Sequence, residues 1–163
     1  MRKFLNGLYD AAAWIAGLAM IGILLMVLLT VLSRVIGFNA PGTDAYAGYA
    51  MAGCGFMALA STLKKGEHIR VTLLLGALKG KALKTLEVIA LLIATALAGF
   101  LAFYSTRLAI QSWEIDDISV GIDATPMWIP QIFMALGTII FFIAFCDELV
   151  LELLGKRQAV VNE

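Results

Sequence analysis

The sequence predicts an all-α integral membrane protein, and three observations support this fold class. Of its 163 residues, 61% are hydrophobic and 15% are charged, and the mean hydropathy is +0.92. Soluble domains hold about 45–50% apolar and about 25% charged residues, so a small water-facing core cannot bury this much apolar surface. Four uncharged apolar stretches have roughly the 20 residues that a helix needs to cross a ~30 Å hydrocarbon layer. Charged residues bracket these stretches.

The four stretches are predicted transmembrane helices, because a chain in lipid must satisfy its own backbone hydrogen bonds. The first, residues 11–33, is longer than the apolar core of a signal peptide, which has about 7–15 residues, so we expect it to stay in the membrane. The second and third cover residues 45–63 and 88–106, and the fourth covers residues 127–146. Nothing marks a second domain, so residues 1–163 are expected to form one membrane domain.

Residues typical of helix starts precede two of these stretches. Thr43 and Asp44 are predicted to cap the second helix, since short polar side chains accept hydrogen bonds from the free amides there. Thr125 followed by Pro126 is predicted to supply the cap and the first residue of the fourth helix, a position where the missing N–H of proline is tolerated.

The positions of the basic residues predict the orientation. All lysines and arginines except Arg34 and Arg107 lie before the first stretch, between the second and third, or after the fourth. Basic loops favour the cytoplasm, so both termini are predicted to be cytoplasmic. Arg34 and Arg107 then lie on the outer side, where each is expected to extend its charge to the membrane interface or to pair with Asp44 or Asp123.

Residues 69–86 combine apolar residues with Lys79, Lys81 and Lys84 and are too charged to span a membrane. They are predicted to form an amphipathic segment on the inner leaflet, with the lysines at the lipid headgroups. A solvated basic loop is the alternative. Trp128, close to a predicted helix end, fits the aromatic belt of a membrane interface.

The chain lacks the groups that several classes of function require. Its 12 basic and 12 acidic residues balance, which argues against a nucleic-acid-binding protein. Two separated cysteines and one histidine supply neither a metal site nor a redox pair, so we expect no cofactor and no enzyme activity. The apolar stretches hold no ionisable residue and no matching pair of broken helices, so we expect no substrate site on this chain.

Two surfaces are candidates for contacts with partners. Gly48, Ala52 and Gly55 are predicted to line one face of the second helix, where small residues let helix backbones approach closely. This face serves either packing among the four helices or contact with a larger membrane partner. In the outer loop at 111–125, the spacing of the acidic residues differs from that of a calcium-binding loop. The loop is therefore either a solvated acidic loop or a docking surface for a soluble partner. Its acidic residues are Glu114, Asp116, Asp117 and Asp123.

Residues 66–71, which follow the second stretch, read Gly-Glu-His-Ile-Arg-Val. This run resembles the G-x-H-I-R-V signature of the small permease subunit of TRAP (tripartite ATP-independent periplasmic) transporters, the DctQ-like family. Arg34 and residues 124–131 also resemble the family's arginine after the first helix and its proline- and tryptophan-containing approach to the last. Asp44 is shorter than the family's usual glutamate, and Gly42 stands where an aromatic residue is frequent. The residues that match the signature are Gly66, His68, Ile69, Arg70 and Val71.

The resemblance implies a role in transport across the bacterial inner membrane. In this family, a periplasmic binding protein captures a small organic anion and docks on a complex of the small subunit with a large permease subunit. The large subunit holds the substrate and sodium sites, and the small subunit widens its static scaffold. The implied partners are the large subunit, the binding protein and membrane lipids, with docking at Arg34, Asp44 and the acidic loop. A small stand-alone exporter, which would need a carboxylate in its first helix, and an unrelated four-helix assembly factor are the alternatives.

Overall fold

The computed structural model describes residues 2–64 and 81–154. They form four helices, which we number in chain order. These are α1 (Arg2–Ile36), α2 (Thr43–Lys64), α3 (Lys81–Glu114) and α4 (Trp128–Leu153). Within the described ranges, the only pairing of β type is an isolated bridge between Ile118 and Pro126. The all-α fold class is therefore confirmed.

Three of the four helices are long and apolar enough to cross a membrane. They are α1 from Leu5 to Ile36, α3 from Leu83 to Glu114, and the whole of α4. The remaining predicted span, α2, has 22 residues, which is sufficient length, but its glycine, tyrosine, serine and threonine residues lower its mean hydropathy. The structure thus supports a multi-pass membrane protein, while four crossings remain a prediction.

The helices extend beyond the predicted apolar stretches. α1 starts at Arg2 instead of residue 11, and α3 starts at Lys81 instead of residue 88. Lys81 and Lys84 therefore open α3 and do not belong to a separate amphipathic segment, which corrects the predicted boundary at residue 86. The run Lys-Ala-Leu-Lys consists of good helix formers, so the helix has no reason to end where the apolar stretch ends. The remainder of the predicted segment, residues 69–80, lies outside the described residues.

The predicted start of the fourth helix is wrong by two residues. Met127 occupies the N-cap position of α4, with helical dihedral angles and no capping hydrogen bond from its side chain. The backbone of the Thr125–Pro126 pair is used elsewhere, because the Thr125 carbonyl accepts a hydrogen bond of 2.9 Å from the Ser119 amide and Pro126 bridges to Ile118. The loop before α4 has its own folded structure, which continues up to the helix.

The predicted cap of α2 also has a different role. Thr43 is the first residue of the helix, and its hydroxyl donates to the Ala40 carbonyl at 3.2 Å. The same oxygen accepts a hydrogen bond of 2.8 Å from the Thr30 hydroxyl on α1. Thr43 is buried. Its side chain therefore joins the start of α2 to the end of α1.

The helices pack in the order α1, α2, α4, α3, and α1 also makes a small contact with α4. Alanine-rich clusters of buried residues lie where α1, α2 and α4 pack together. Tyr9, Ala60 and Ala144 form one buried cluster, and residues of α1 and α2 such as Met57 form a second. At the α2–α4 crossing, a Cβ atom on Gly137 would lie 2.6 Å from the Phe56 backbone, so only glycine allows this close approach.

Large apolar side chains cover the outside of the helix array. Trp14 and Leu18 of α1 and Phe100 of α3 are each more than 60% exposed. A water-facing monomer rarely exposes apolar surface on this scale, whereas a lipid-facing or partner-facing helix does. The exposed faces are consistent with a membrane protein whose outer helices meet lipid or other subunits.

Candidate functional site

The α1–α2 and α3–α4 connections lie together at one end of the array, which we call the loop end (residues 37–42 and 115–127). A Cβ atom on Gly42 would lie 3.1 Å from the Asp123 Cβ, and Gly42 has a φ of +82°. Both the left-handed backbone and the lack of space require glycine here. The two loops therefore form one continuous surface.

Asp123 is the centre of the hydrogen-bond network of this surface. The Tyr49 phenol on α2 donates to Asp123 Oδ2 at 2.9 Å, and the Ser119 hydroxyl donates to Asp123 Oδ1 at 3.0 Å. Hydrogen bonds from Thr125 above all, and also from Tyr49 and Ser119, favour the ionised carboxylate and lower the pKa of Asp123 to about 2, against a smaller opposing effect of desolvation. Asp123 thus acts as a structural link between α2 and the loop.

The backbone of the α3–α4 loop is also well connected. The Met127 amide donates to the Asp117 carbonyl at 2.9 Å, and the Asp117 amide donates to the Ser112 carbonyl at 3.0 Å. Asp116 and Ala124 have positive φ angles of 49° and 44°, which residues other than glycine adopt infrequently. Such strain persists where the surrounding contacts fix the conformation. The loop therefore has a defined shape.

The structure divides the four predicted acidic residues into two pairs. Glu114 and Asp116 are exposed, whereas Asp117 and Asp123 are partly buried. Asp117 lies 3.5 Å from the Ser112 hydroxyl, and Asp123 makes the network described above. Only Glu114 and Asp116 present their carboxylates freely to the surroundings, so the acidic surface is smaller than the sequence predicts.

The outermost side chains of the loop are aliphatic, and sequence reasoning missed them. Val120 is fully exposed and Ile122 is 85% exposed, while Ile118 is 54% exposed. The alternation of aliphatic and polar residues over 118–123 was a visible signal, but it is typical of a half-buried strand with its aliphatic side chains inside. Here the loop folds with the opposite face inward, because Ser119 and Asp123 bond to Tyr49.

A cleft of about 520 Å³ lies between the two loops. Arg34, Asp44 and Asp123 all line it, so the structure brings these three predicted docking residues together. Within residues 2–64 and 81–154, no ion pair joins Arg34 to either acid, and the Arg34 side chain is exposed. Arg107 lies on α3, which packs on α4 on the far side from α1 and α2. The predicted pairing is therefore absent, and Arg34 remains available to a partner.

The small-residue face of α2 is open. Gly48, Ala52 and Gly55 are exposed, and a Cβ atom on Gly48 or Gly55 would have no atom within 4 Å outside its own helix. The close packing between described helices instead uses Gly53, which faces Phe133, and Gly137. Among the described residues, Gly48 and Gly55 therefore take no part in close internal packing, one of the two roles predicted for this face.

The remaining predicted residues lie at both ends of the helices. The Trp128 ring packs edge-on against Trp113 with centroids 4.7 Å apart, at the loop end of α3 and α4. Lys84 is exposed near the start of α3. Gly66, His68, Ile69, Arg70 and Val71 of the signature, together with Lys79, lie outside the described residues.

The described residues contain no group of three or more histidine, cysteine, aspartate or glutamate side chains that could hold a metal ion. Cys54 and Cys146 are free thiols, both partly buried. What the loop end offers chemically is a shaped surface with exposed acidic and aliphatic side chains, next to the exposed Arg34 at the end of α1. Such a surface suits recognition of a macromolecule.

Comparison with known protein families identifies the family to which the sequence is similar. A family model described as "Tripartite ATP-independent periplasmic transporters, DctQ component" matches residues 23–155. The matched region runs from the middle of α1 to the end of α4 and includes both loops of the loop end. No curated protein matches the chain.

Proposed function

The chain belongs to the DctQ family, the small membrane component of tripartite ATP-independent periplasmic transporters, and we propose on this premise that it is the scaffold subunit of a sodium-coupled importer of small organic anions. In this role it binds the large permease subunit and helps the periplasmic binding protein to dock. The observation that carries the proposal is the family match over residues 23–155.

The composition of the apolar stretches supports a scaffold role. Residues 11–33, 45–63, 88–106 and 127–146 contain no aspartate, glutamate, lysine or arginine. Coupled transport of an anion with sodium needs polar or charged groups at the depth of the membrane centre. These groups would then belong to the large subunit, and the chain described here would hold that subunit in place.

The open face of α2 is the proposed contact with the large subunit. In lipid, helices associate where small residues allow close backbone approach, and Gly48, Ala52 and Gly55 offer such a strip, which is exposed among the described residues. The exposed apolar side chains of α1 and α3 leave further surface for protein or lipid.

The proposed topology has four crossings, both termini in the cytoplasm and the loop end in the periplasm, in the inner membrane. Its support is the placement of all basic residues except Arg34 and Arg107 on one side. Single cysteines replacing Asp116 and Lys79, in a background without Cys54 and Cys146, test it in whole cells. An impermeant thiol reagent should label position 116 and leave position 79 unlabelled, and the reverse pattern would overturn the topology.

Reconstitution tests the function. Proteoliposomes that contain this chain and the large subunit should take up radiolabelled dicarboxylates, sugar acids or sulfonates only when sodium and the binding protein are added outside. Vesicles that lack either membrane subunit should show background uptake. Sodium-dependent uptake by this chain alone would refute the scaffold role, and full activity of the large subunit without it would show that it is dispensable.

A further inference from the structure

The loop end carries an exposed aliphatic tip, defined as Ile118, Val120 and Ile122. Val120 is fully exposed and Ile122 is 85% exposed, in a loop that has polar and acidic neighbours. Apolar surface is less favourable when exposed to water than when buried. An isolated exposed aliphatic residue is ordinary, but three neighbouring ones at the apex of a loop mark a contact surface.

The tip is held in one shape before any partner arrives. Asp123 bonds to Tyr49 and Ser119, and the Ser119 amide donates to the Thr125 carbonyl at 2.9 Å. These bonds lie on the inner face of the loop, so the aliphatic side chains point away from the helices. A preorganised loop loses little conformational entropy when it binds, which favours its use as an anchor.

We propose that the aliphatic tip is the anchor by which this subunit holds the periplasmic binding protein, seated in an apolar pocket ringed by basic side chains. The proposal rests on the function proposed above and names the chemistry of its docking contact. Val120 and Ile122 make the apolar contact, and the carboxylates of Glu114 and Asp116 form the polar edge of the interface, facing the basic side chains of the partner.

The charges around the tip favour a basic protein surface over the lipid leaflet. Residues 108–127 contain no lysine or arginine, and the exposed carboxylates of Glu114, Asp116 and Asp44 outnumber the exposed Arg34, which lines the same cleft as Asp44 and Ile122. Anionic headgroups would repel these carboxylates, and the single charge of Arg34 would offset only part of the repulsion. A partner protein with basic residues around an apolar pocket satisfies both features, in the usual arrangement of an apolar centre with a polar rim.

The test uses the complex of this chain with the large subunit in lipid nanodiscs and the binding protein in solution. The double variant Val120→Ser with Ile122→Ser should weaken binding about tenfold or more, mainly through faster dissociation. The matched variant Val120→Ile with Ile122→Val keeps the apolar surface and should bind like the parent. In proteoliposomes of the same complex, uptake at saturating binding protein should recover in the serine variant. Equal binding by parent and serine variant would overturn the proposal.

A second measurement separates the protein partner from the lipid leaflet. In the Val120→Trp variant, fluorescence from position 120, obtained by subtracting the parent spectrum, should be insensitive to brominated lipids and should shift when the binding protein is added. Quenching by brominated lipids without binding protein would assign the tip to the leaflet and overturn the proposal. If uptake by the parent complex does not depend on a binding protein at all, the proposed function itself fails. If parent uptake depends on the binding protein but the serine variant binds it equally well, only the role of the aliphatic tip fails.

Discussion

The Tyr49 phenol on α2 donates a hydrogen bond of 2.9 Å to the Asp123 carboxylate, 74 positions further along the chain. This bond joins the helix that faces α1 to the loop that precedes α4. Because Asp123 also fixes Ser119, the orientation of the whole loop depends on a residue in another element. The shape of the loop end is therefore a tertiary property.

Removing the Tyr49 hydroxyl should loosen the loop. In Tyr49→Phe the ring remains, but Asp123 Oδ2 loses its donor from α2, so we expect the melting temperature of the purified protein to fall by a few degrees, as for loss of one charge-assisted hydrogen bond. Thermal unfolding in detergent measures this. Binding of the binding protein should weaken as well, because the aliphatic tip is then less ordered.

Tyr9→Phe is the matched control for this variant. Tyr9 is also a tyrosine at a helix junction and is 2% exposed, but its hydroxyl is buried without a hydrogen-bond partner in the described residues. Removing an unsatisfied buried hydroxyl is neutral or stabilising. A melting temperature that falls equally in both variants would show that the Tyr49–Asp123 bond contributes nothing specific.

Glycine substitutions should separate internal packing from contact with another subunit. Gly137→Ala places a Cβ atom against the Phe56 backbone, so α2 and α4 must separate, at a cost of ~1–3 kcal/mol in the isolated chain. Gly55→Leu meets open space and should leave the isolated chain as stable as the parent. It should, however, reduce co-purification with the large subunit. Normal assembly of Gly55→Leu would count against the proposed contact on α2.

The sequence was sufficient to predict the helices, because apolar stretches of membrane length leave the backbone few alternatives. It was not sufficient to predict which small residues pack inside. Gly48 and Gly137 both lie within apolar stretches of the sequence. Only Gly137 lies at the crossing of α2 with α4, where it packs against the Phe56 backbone. The predicted start of α4 was wrong for a related reason. Thr125 belongs to the folded loop, where its carbonyl accepts a hydrogen bond from the Ser119 amide, and it does not cap α4.

The candidate surface was predictable in location and less so in chemistry. The acidic residues of the loop and Arg34 were predicted to lie at the same end of the molecule, and Arg34, Asp44 and Asp123 do line one cleft. Which of the acids face outward depends on Tyr49, a residue that no local pattern connects with Asp123. The exposed Val120 and Ile122 follow from the same bond, so sequence reasoning had no basis for preferring them.

The stabilisation by Asp123 should depend on pH in a defined direction. The pKa of its carboxyl falls from an ordinary 3.8 to about 2 in the folded protein. Because the folded value is the lower one, the stabilisation is complete above about pH 4 and is lost as the pH falls towards 2. The difference in melting temperature between the parent and Asp123→Asn should be constant from pH 7 to 5 and shrink below pH 4. A difference that persists unchanged at pH 2 would contradict the assignment.

Neutralising the exposed acids should slow docking without disturbing assembly. Glu114→Gln with Asp116→Asn removes the two freely exposed carboxylates at the end of α3 and in the following loop, and leaves Asp117 and Asp123 in their network. Charges at the rim of a transient interface mainly set the association rate, so a higher concentration of binding protein should be needed for half-maximal uptake at low salt. Since about 0.1 M salt screens exposed charges beyond ~10 Å, added salt should narrow the difference from the parent. Lys84→Gln, at the opposite end of α3, is the control and should leave the salt response unchanged. If the double variant matches the parent at low salt, the carboxylates are only solvated, and docking depends on the aliphatic tip, on Arg34 or on the large subunit.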